Sequence, residues 1–187
     1  GSIVLAGVML KMGTFGFWRY AIPLFPDAAA TFRPLMAVLA MVGIVYGALM
    51  CLAQRDVKKL IAYSSVSHMG YCMLGIFAFT GEGAAGSAFQ MLAHGVATGA
   101  LFLLFGYLYE RRHTRLMSDY GGIAKVMPVF TFFFMLTTFA SIALPGTVGF
   151  VGEYLVLLGS FRSGLPLWIS LLATSAVILG AAYMLWM

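Results

Sequence analysis

Four ionisable side chains stand inside apolar stretches of this 187-residue chain: Lys11, His68, His94 and Glu153. Lys11 is the sole charge between Ile3 and Trp18, in IVLAGVMLKMGTFGFW. His68 lies in YSSVSHMG, one turn past Ser64, and His94 lies in FQMLAHGVATG, sharing a helix face with Gln90 and Thr98. Glu153 closes LPGTVGFVGE. An ammonium, two imidazoles that titrate near neutrality and a carboxylate are the parts of a proton relay, provided that they converge. No HxxxH-type spacing points to a metal site, and no CxxC, haem-attachment, Walker A or dinucleotide fingerprint occurs. The chain has no evident redox or nucleotide chemistry of its own.

These residues also have structural explanations. Lys11 could be a buried lysine held neutral, or could snorkel to the membrane surface, although it sits about eight residues from either end of its apolar run. His68 could be a hydrogen-bonded interhelical histidine, whereas the polar stripe of Gln90, His94 and Thr98 on an otherwise apolar helix suggests a hydrated seam and so a functional role for His94. Glu153 could merely help an irregular helix to pack. Against these readings stands cost: a lysine at the centre of a bilayer costs about 2.5–3.5 kcal/mol on insertion scales, and intramembrane charges mark ion or proton paths.

The elements that must position these groups can be read from composition. Hydrophobic residues make up 62% of the chain, charged residues 9%, and mean hydropathy is +0.98. Soluble domains carry about 25% charged residues, so this is an integral membrane protein with an all-α fold. The 22 glycines suit closely packed transmembrane helices. Cys51 and Cys72 fall in apolar segments, as free thiols do. The net charge of +5 is split among short loops and is no nucleic-acid signature. There is no signal peptide and no initiator Met, and the chain stops inside an apolar run. The expectation is one transmembrane domain over residues 1–187, an internal fragment of a longer polytopic protein.

About 20 apolar residues cross the hydrocarbon core, which predicts six spans, near 3–24, 34–53, 57–80, 84–108, 127–162 and 166–187. The fifth is too long for one plain helix. Pro145 has no backbone N–H and clashes with the preceding turn, and Gly146, Gly149 and Gly152 loosen the turns after it. A discontinuous helix broken at Pro145–Gly146 is expected, with a hairpin of two shorter spans as the alternative. The loops at 54–58 and 109–126, together with Lys59, hold seven basic residues, against Arg19, Arg33 and Arg162 at the opposite ends. The positive-inside rule places the first set in the cytoplasm.

GSIVLAGVMLKMG, DVKKLIAYSSVSHMGY, QMLAHGVATGALFLLFGYLYERRHTR and LPGTVGFVGEYLVLLGSF resemble the proton-conducting antiporter-like membrane subunit family over essentially the whole chain. YERRHTR and the glutamate after the LPGT break resemble the M type of NADH–quinone oxidoreductase (respiratory complex I), called subunit 4 in mitochondria; the L/5 and N/2 types carry lysine there. The resemblance implies a fourteen-helix subunit of which this piece holds the eighth to thirteenth. Lys11 would be the bridging lysine of a hydrophilic axis, His68 and His94 would line it, and Glu153 would be its exit-side carboxylate. A glutamate and a lysine on earlier helices would lie upstream.

The same resemblance implies a complex that is an H⁺-translocating enzyme. NADH, FMN, Fe–S clusters and quinone would be held by partner subunits, and no cofactor by this chain. Its partners would be other membrane subunits, neighbouring antiporter-like ones included, and lipid, with protons as cargo. A bacterial plasma membrane is favoured over an organelle inner membrane. The rivals are a D-type subunit of a multisubunit cation/proton antiporter, a membrane-bound hydrogenase subunit, and a purely structural scaffold.

Overall fold

The computed structural model describes residues 1–187, the Ser2 side chain excepted. Among them, helices account for nearly the whole chain. Residues 2–24 form one helical run, α1, in which π-helical turns at Leu5–Met9 and Phe17–Ala21 bracket the α-helical Leu10–Gly16. Then come α2 (Pro26–Leu52), α3 (Val57–Phe77), α4 (Gly81–Arg112), α5 (Pro128–Ser141), α6 (Val148–Arg162) and α7 (Leu167–Trp186). Of these, α2, α3, α4 and α7 are long and apolar enough to cross a membrane by themselves.

The fifth crossing is composite. At about 1.5 Å per residue, α5 (14 residues) and α6 (15 residues) are each too short to span about 30 Å. Their neighbours along α4 decide between a broken helix and a hairpin. Arg111, at the end of α4, reaches Met127 just before α5 (3.4 Å), while Ala140, Ser141 and Gly149 meet α4 at His94, Ala97 and Thr98. Further on, Gln90 reaches Glu153 and Arg162 pairs with Glu82 at the start of α4 (2.5 Å). Both halves therefore run in one direction, antiparallel to α4, as the two parts of one interrupted crossing. The hairpin is excluded.

The interruption covers residues 142–147. Ala143 (φ +60°) and Gly146 (φ +96°) turn the chain through left-handed conformations, and Pro145 brings no donor. Backbone groups at the break are answered locally: Leu144 N–H donates to Phe139 O (3.2 Å), and Thr147 donates to Leu144 O through both its N–H (2.9 Å) and its hydroxyl (2.7 Å).

Glycine decides how closely α6 lies on α4. A Cβ at Gly159 would fall 2.5 Å from Gly83 N, one at Gly86 would fall 2.6 Å from Val156 N, and one at Gly152 would fall 2.4 Å from Gln90 Oε1. Helix backbones can come this near only where side chains are absent.

The two basic loops are tied together, as expected for one membrane face. Val57 N–H donates to Arg115 O and Met117 N–H to Arg55 O, both at 3.0 Å. Asp56 caps α3 at this face by accepting from Lys59 N–H (3.1 Å), while at the other end of the bundle Thr80 caps α4 by accepting from Gly83 N–H (3.1 Å). At the opposite face, Arg33 donates to Phe77 O (3.0 Å), Ala78 O (2.8 Å) and Ser163 O, gathering the ends of α3 and α6 onto α2.

Two boundaries correct the sequence reading. The second span starts at Pro26 rather than near residue 34: Pro34 sits inside α2 with its ring exposed, and Pro26 already occupies the first turn, where a missing N–H costs nothing. The loop expected from residue 109 begins only at His113, because α4 runs on to Arg112 and is stopped there by His113 in a left-handed conformation (φ +53°).

Gly159→Ala should therefore destabilise the subunit by about 1–3 kcal/mol through overpacking. Gly43→Ala, with nothing within 4 Å of its added methyl, should not. Thermal unfolding of the purified subunit in detergent measures both, and equal midpoints would contradict the packing described.

Candidate functional site

All four ionisable residues meet at mid-bundle. Lys11, between the two π turns of α1, donates from Nζ to Ala6 O (2.5 Å) in the first π turn and lies 2.6 Å from His94 Nδ1. A π turn widens the helix at a single place, and such turns gather at functional sites. The His94 and His68 rings stand side by side with centroids 5.2 Å apart. His68 Nδ1 lies 3.0 Å from Glu153 Oε1, and that oxygen also accepts from Gln90 Nε2 at 3.1 Å. His68, His94, Glu153 and Gln90 are 6%, 4%, 5% and 2% exposed, so all four are buried. Snorkelling of Lys11 is excluded, because its ammonium turns inward to His94.

With Lys11 as an ammonium and Glu153 as a carboxylate, these contacts assign the tautomers. An ammonium has only donors, so His94 Nδ1 accepts and its N–H sits on Nε2. A carboxylate oxygen that already accepts a hydrogen bond from Gln90 accepts a second from His68 Nδ1–H, which leaves His68 Nε2 as acceptor. The two Nε2 atoms have no protein partner among the described residues, and neither do Gln90 Oε1 and Thr98 Oγ1. His68, Gln90, His94, Thr98 and Ser141 line a common cavity of about 10 Å³. That is room for one water, and the lining offers the two to four polar partners a buried water needs. Read through it, donors and acceptors run head to tail: Lys11 to His94, His94 to water, water to His68, His68 to Glu153.

The sequence placed Gln90 and Thr98 beside His94, and both are there. It also placed Ser64 beside His68, but Ser64 Oγ donates to Ile61 O (2.9 Å) within its own helix. Gln90 as the second donor to Glu153 had not been expected. The signal was Gly152: a glycine directly before the carboxylate is where α4 approaches closely enough to deliver that amide. Among the described residues no group of three His, Cys, Asp or Glu side chains is arranged to hold a metal ion. Pro145 and Gly146 lie in the break, outside the polar cluster.

Comparison with known proteins places this geometry. The family model for transmembrane subunits of NADH:quinone oxidoreductase and Mrp antiporters matches residues 1–179. The chain belongs to that family. Within the family it is 54% identical over 187 residues to NADH-quinone oxidoreductase subunit M of Rhodobacter capsulatus, covering 100% of this chain and 36% of that protein. It is 48% identical to NADH-ubiquinone oxidoreductase chain 4 of Chondrus crispus, covering 38% of that protein. The chain thus spans little more than a third of the length of these relatives. A chain of respiratory complex I from Thermus thermophilus superposes with a TM-score of 0.90 at 43% identity, over 94% of this chain and 37% of that one. A chain of the Mrp complex from Dietzia shares the fold, with a TM-score of 0.92 at 22% identity over 98% of this chain and 34% of that one.

A density map of the intact complex fine enough to show waters should place one within hydrogen-bonding distance of His94 Nε2 and Thr98 Oγ1. A direct His94–His68 contact there would contradict the bridge.

Proposed function

We propose that this chain is part of a proton-translocating membrane subunit of an NADH–quinone oxidoreductase, and that Lys11, His94, His68 and Glu153 carry the proton. The observation that supports this most is the head-to-tail order of the contacts. Lys11 gives a proton to His94 Nδ1 as His94 releases its Nε2 proton to the bridging water. The water passes a proton to His68 Nε2, and His68 delivers its Nδ1 proton to Glu153 Oε1. Each transfer leaves a neutral group where a cation stood, or a cation beside a carboxylate, so a charge arriving at one member shifts the balance at the next. Return of the rings to their starting tautomers readies the line for another proton.

The fragment does not load itself. Lys11 sits at the edge of an apolar groove of about 740 Å³ between α1 and α4, lined by Ile3, Val8, Phe15, Met91 and Val96. We place the rest of the longer subunit against this groove, with its upstream lysine reaching Lys11. Pro145 and Gly146 serve by breaking the fifth crossing so that the half-helix carrying Glu153 begins at membrane depth. The electron carriers NADH, FMN, Fe–S clusters and quinone belong to partner subunits in this reading. Other membrane subunits, neighbouring antiporter-like ones among them, flank this one in a bacterial plasma membrane. A cation/proton antiporter subunit is the second reading, kept because the family includes Mrp proteins.

In the full subunit within its complex, Lys11→Ala and Glu153→Gln should each lower NADH-driven proton uptake into inverted vesicles by about tenfold or more, the scale of a lost acid–base step. Assembly, followed by native gel, should be retained. Undiminished uptake in both variants would overturn the relay.

A further inference from the structure

Glu153 has two carboxylate oxygens, and the relay uses one. Oε1 takes both protein hydrogen bonds, from His68 and Gln90, while Oε2 has no protein partner among the described residues. On the side away from His94, Glu153 borders a second cavity of about 10 Å³, again room for one water. Ser67, His68, Tyr71, Ser141 and Tyr183 line it with Glu153. Two of these hydroxyls are committed elsewhere: Tyr71 donates to Ala173 O (2.7 Å) and Ser67 to Ile44 O (3.0 Å). Those of Ser141 and Tyr183 have no protein partner among the described residues.

Tyr183 is the more telling, because it is 1% exposed and a buried phenol hydroxyl ordinarily finds an acceptor. Helical side chains lean toward the N-terminus of their own helix. The hydroxyl accordingly lies over the preceding turn at Gly180, another residue that lines the cavity.

We propose that Tyr183 is a positioning residue for the relay, donating through one water in this cavity to Glu153 Oε2. Resting on the relay proposed above, this gives α7 a part in it. With Oε2 held from the α7 side, the carboxyl keeps the orientation in which Oε1 meets His68 and Gln90. Ser141, at the end of the first half-helix, supplies the water's third partner.

The test uses the full subunit in its complex, with infrared difference spectra recorded alongside proton uptake. The Glu153 band is identified by its loss in Glu153→Gln. In Tyr183→Phe that band should move to higher wavenumber, as a carbonyl does on losing a donor, and uptake should fall about three- to tenfold, the worth of one hydrogen bond. Gly180→Ala is the second variant. Its methyl would lie 3.9 Å from Tyr183 Oη, an ordinary contact, and would displace the water while keeping the phenol. It should move the same band, and it decides the matter where Tyr183→Phe does not assemble. An unmoved band in these variants overturns the role of Tyr183, and leaves the relay standing where Glu153→Gln stops uptake. Normal uptake in Glu153→Gln removes the relay instead, and the band position then still reports whether Tyr183 holds the carboxyl.

Discussion

A single oxygen atom, Glu153 Oε1, collects donors from two helices: His68 on α3 and Gln90 on α4. In a membrane a carboxylate with no such partners is prohibitively costly, and nothing from lipid can substitute. The arrangement around it answers that demand. α6 must come close enough to α4 for a glutamine amide to reach, so glycine stands at 152, 159, 83 and 86. It must also begin near mid-bundle rather than at the surface, so the crossing is interrupted, with residues in left-handed conformations at 143 and 146. The half-helix so created is anchored at its far end, where one guanidinium, that of Arg33, donates to carbonyls at the ends of α3 and α6, and Arg162 pairs with Glu82.

Much of this was legible in the sequence, for a definite reason. An ionisable residue inside an apolar run has no surface to retreat to, so Lys11, His68, His94 and Glu153 announce themselves without any knowledge of the fold. The break at Pro145 is visible for a similar reason, since proline and glycine act on the backbone locally. What sequence could not supply was pairing. That Lys11 meets His94 while His68 meets Glu153 depends on the depth at which α1, α3, α4 and α6 are set against one another, and side-chain periodicity carries no information on depth. The π turns around Lys11 escaped for another reason: a single widened turn leaves the apolar pattern of α1 unchanged.

Arg33 shows the limit most clearly. Read as one of a few charges on the less basic side, it counted only toward topology. In the structure it caps helices from distant parts of the chain and lies over the Phe79 ring at 5.2 Å. A charge count treats every arginine alike, whereas the planar fork of donors acts only where carbonyls converge. The same holds for Tyr183, which is one aromatic among many in sequence and a buried hydroxyl beside Glu153 only once α7 is in place.

Lys11, His68 and His94 stand near the middles of their helices, and Glu153 is the sixth residue of its half-helix. The line through them therefore runs across the bundle, transverse to the helix axes. A transmembrane voltage acts along the bilayer normal, where it is worth about 2.3 kcal/mol per elementary charge for each 100 mV. Charge redistributed along the proposed relay crosses almost none of that field. In that relay, electrical work would be confined to the steps along the bilayer normal by which a proton arrives or leaves, and the lateral passage would proceed alike in energised and de-energised membranes.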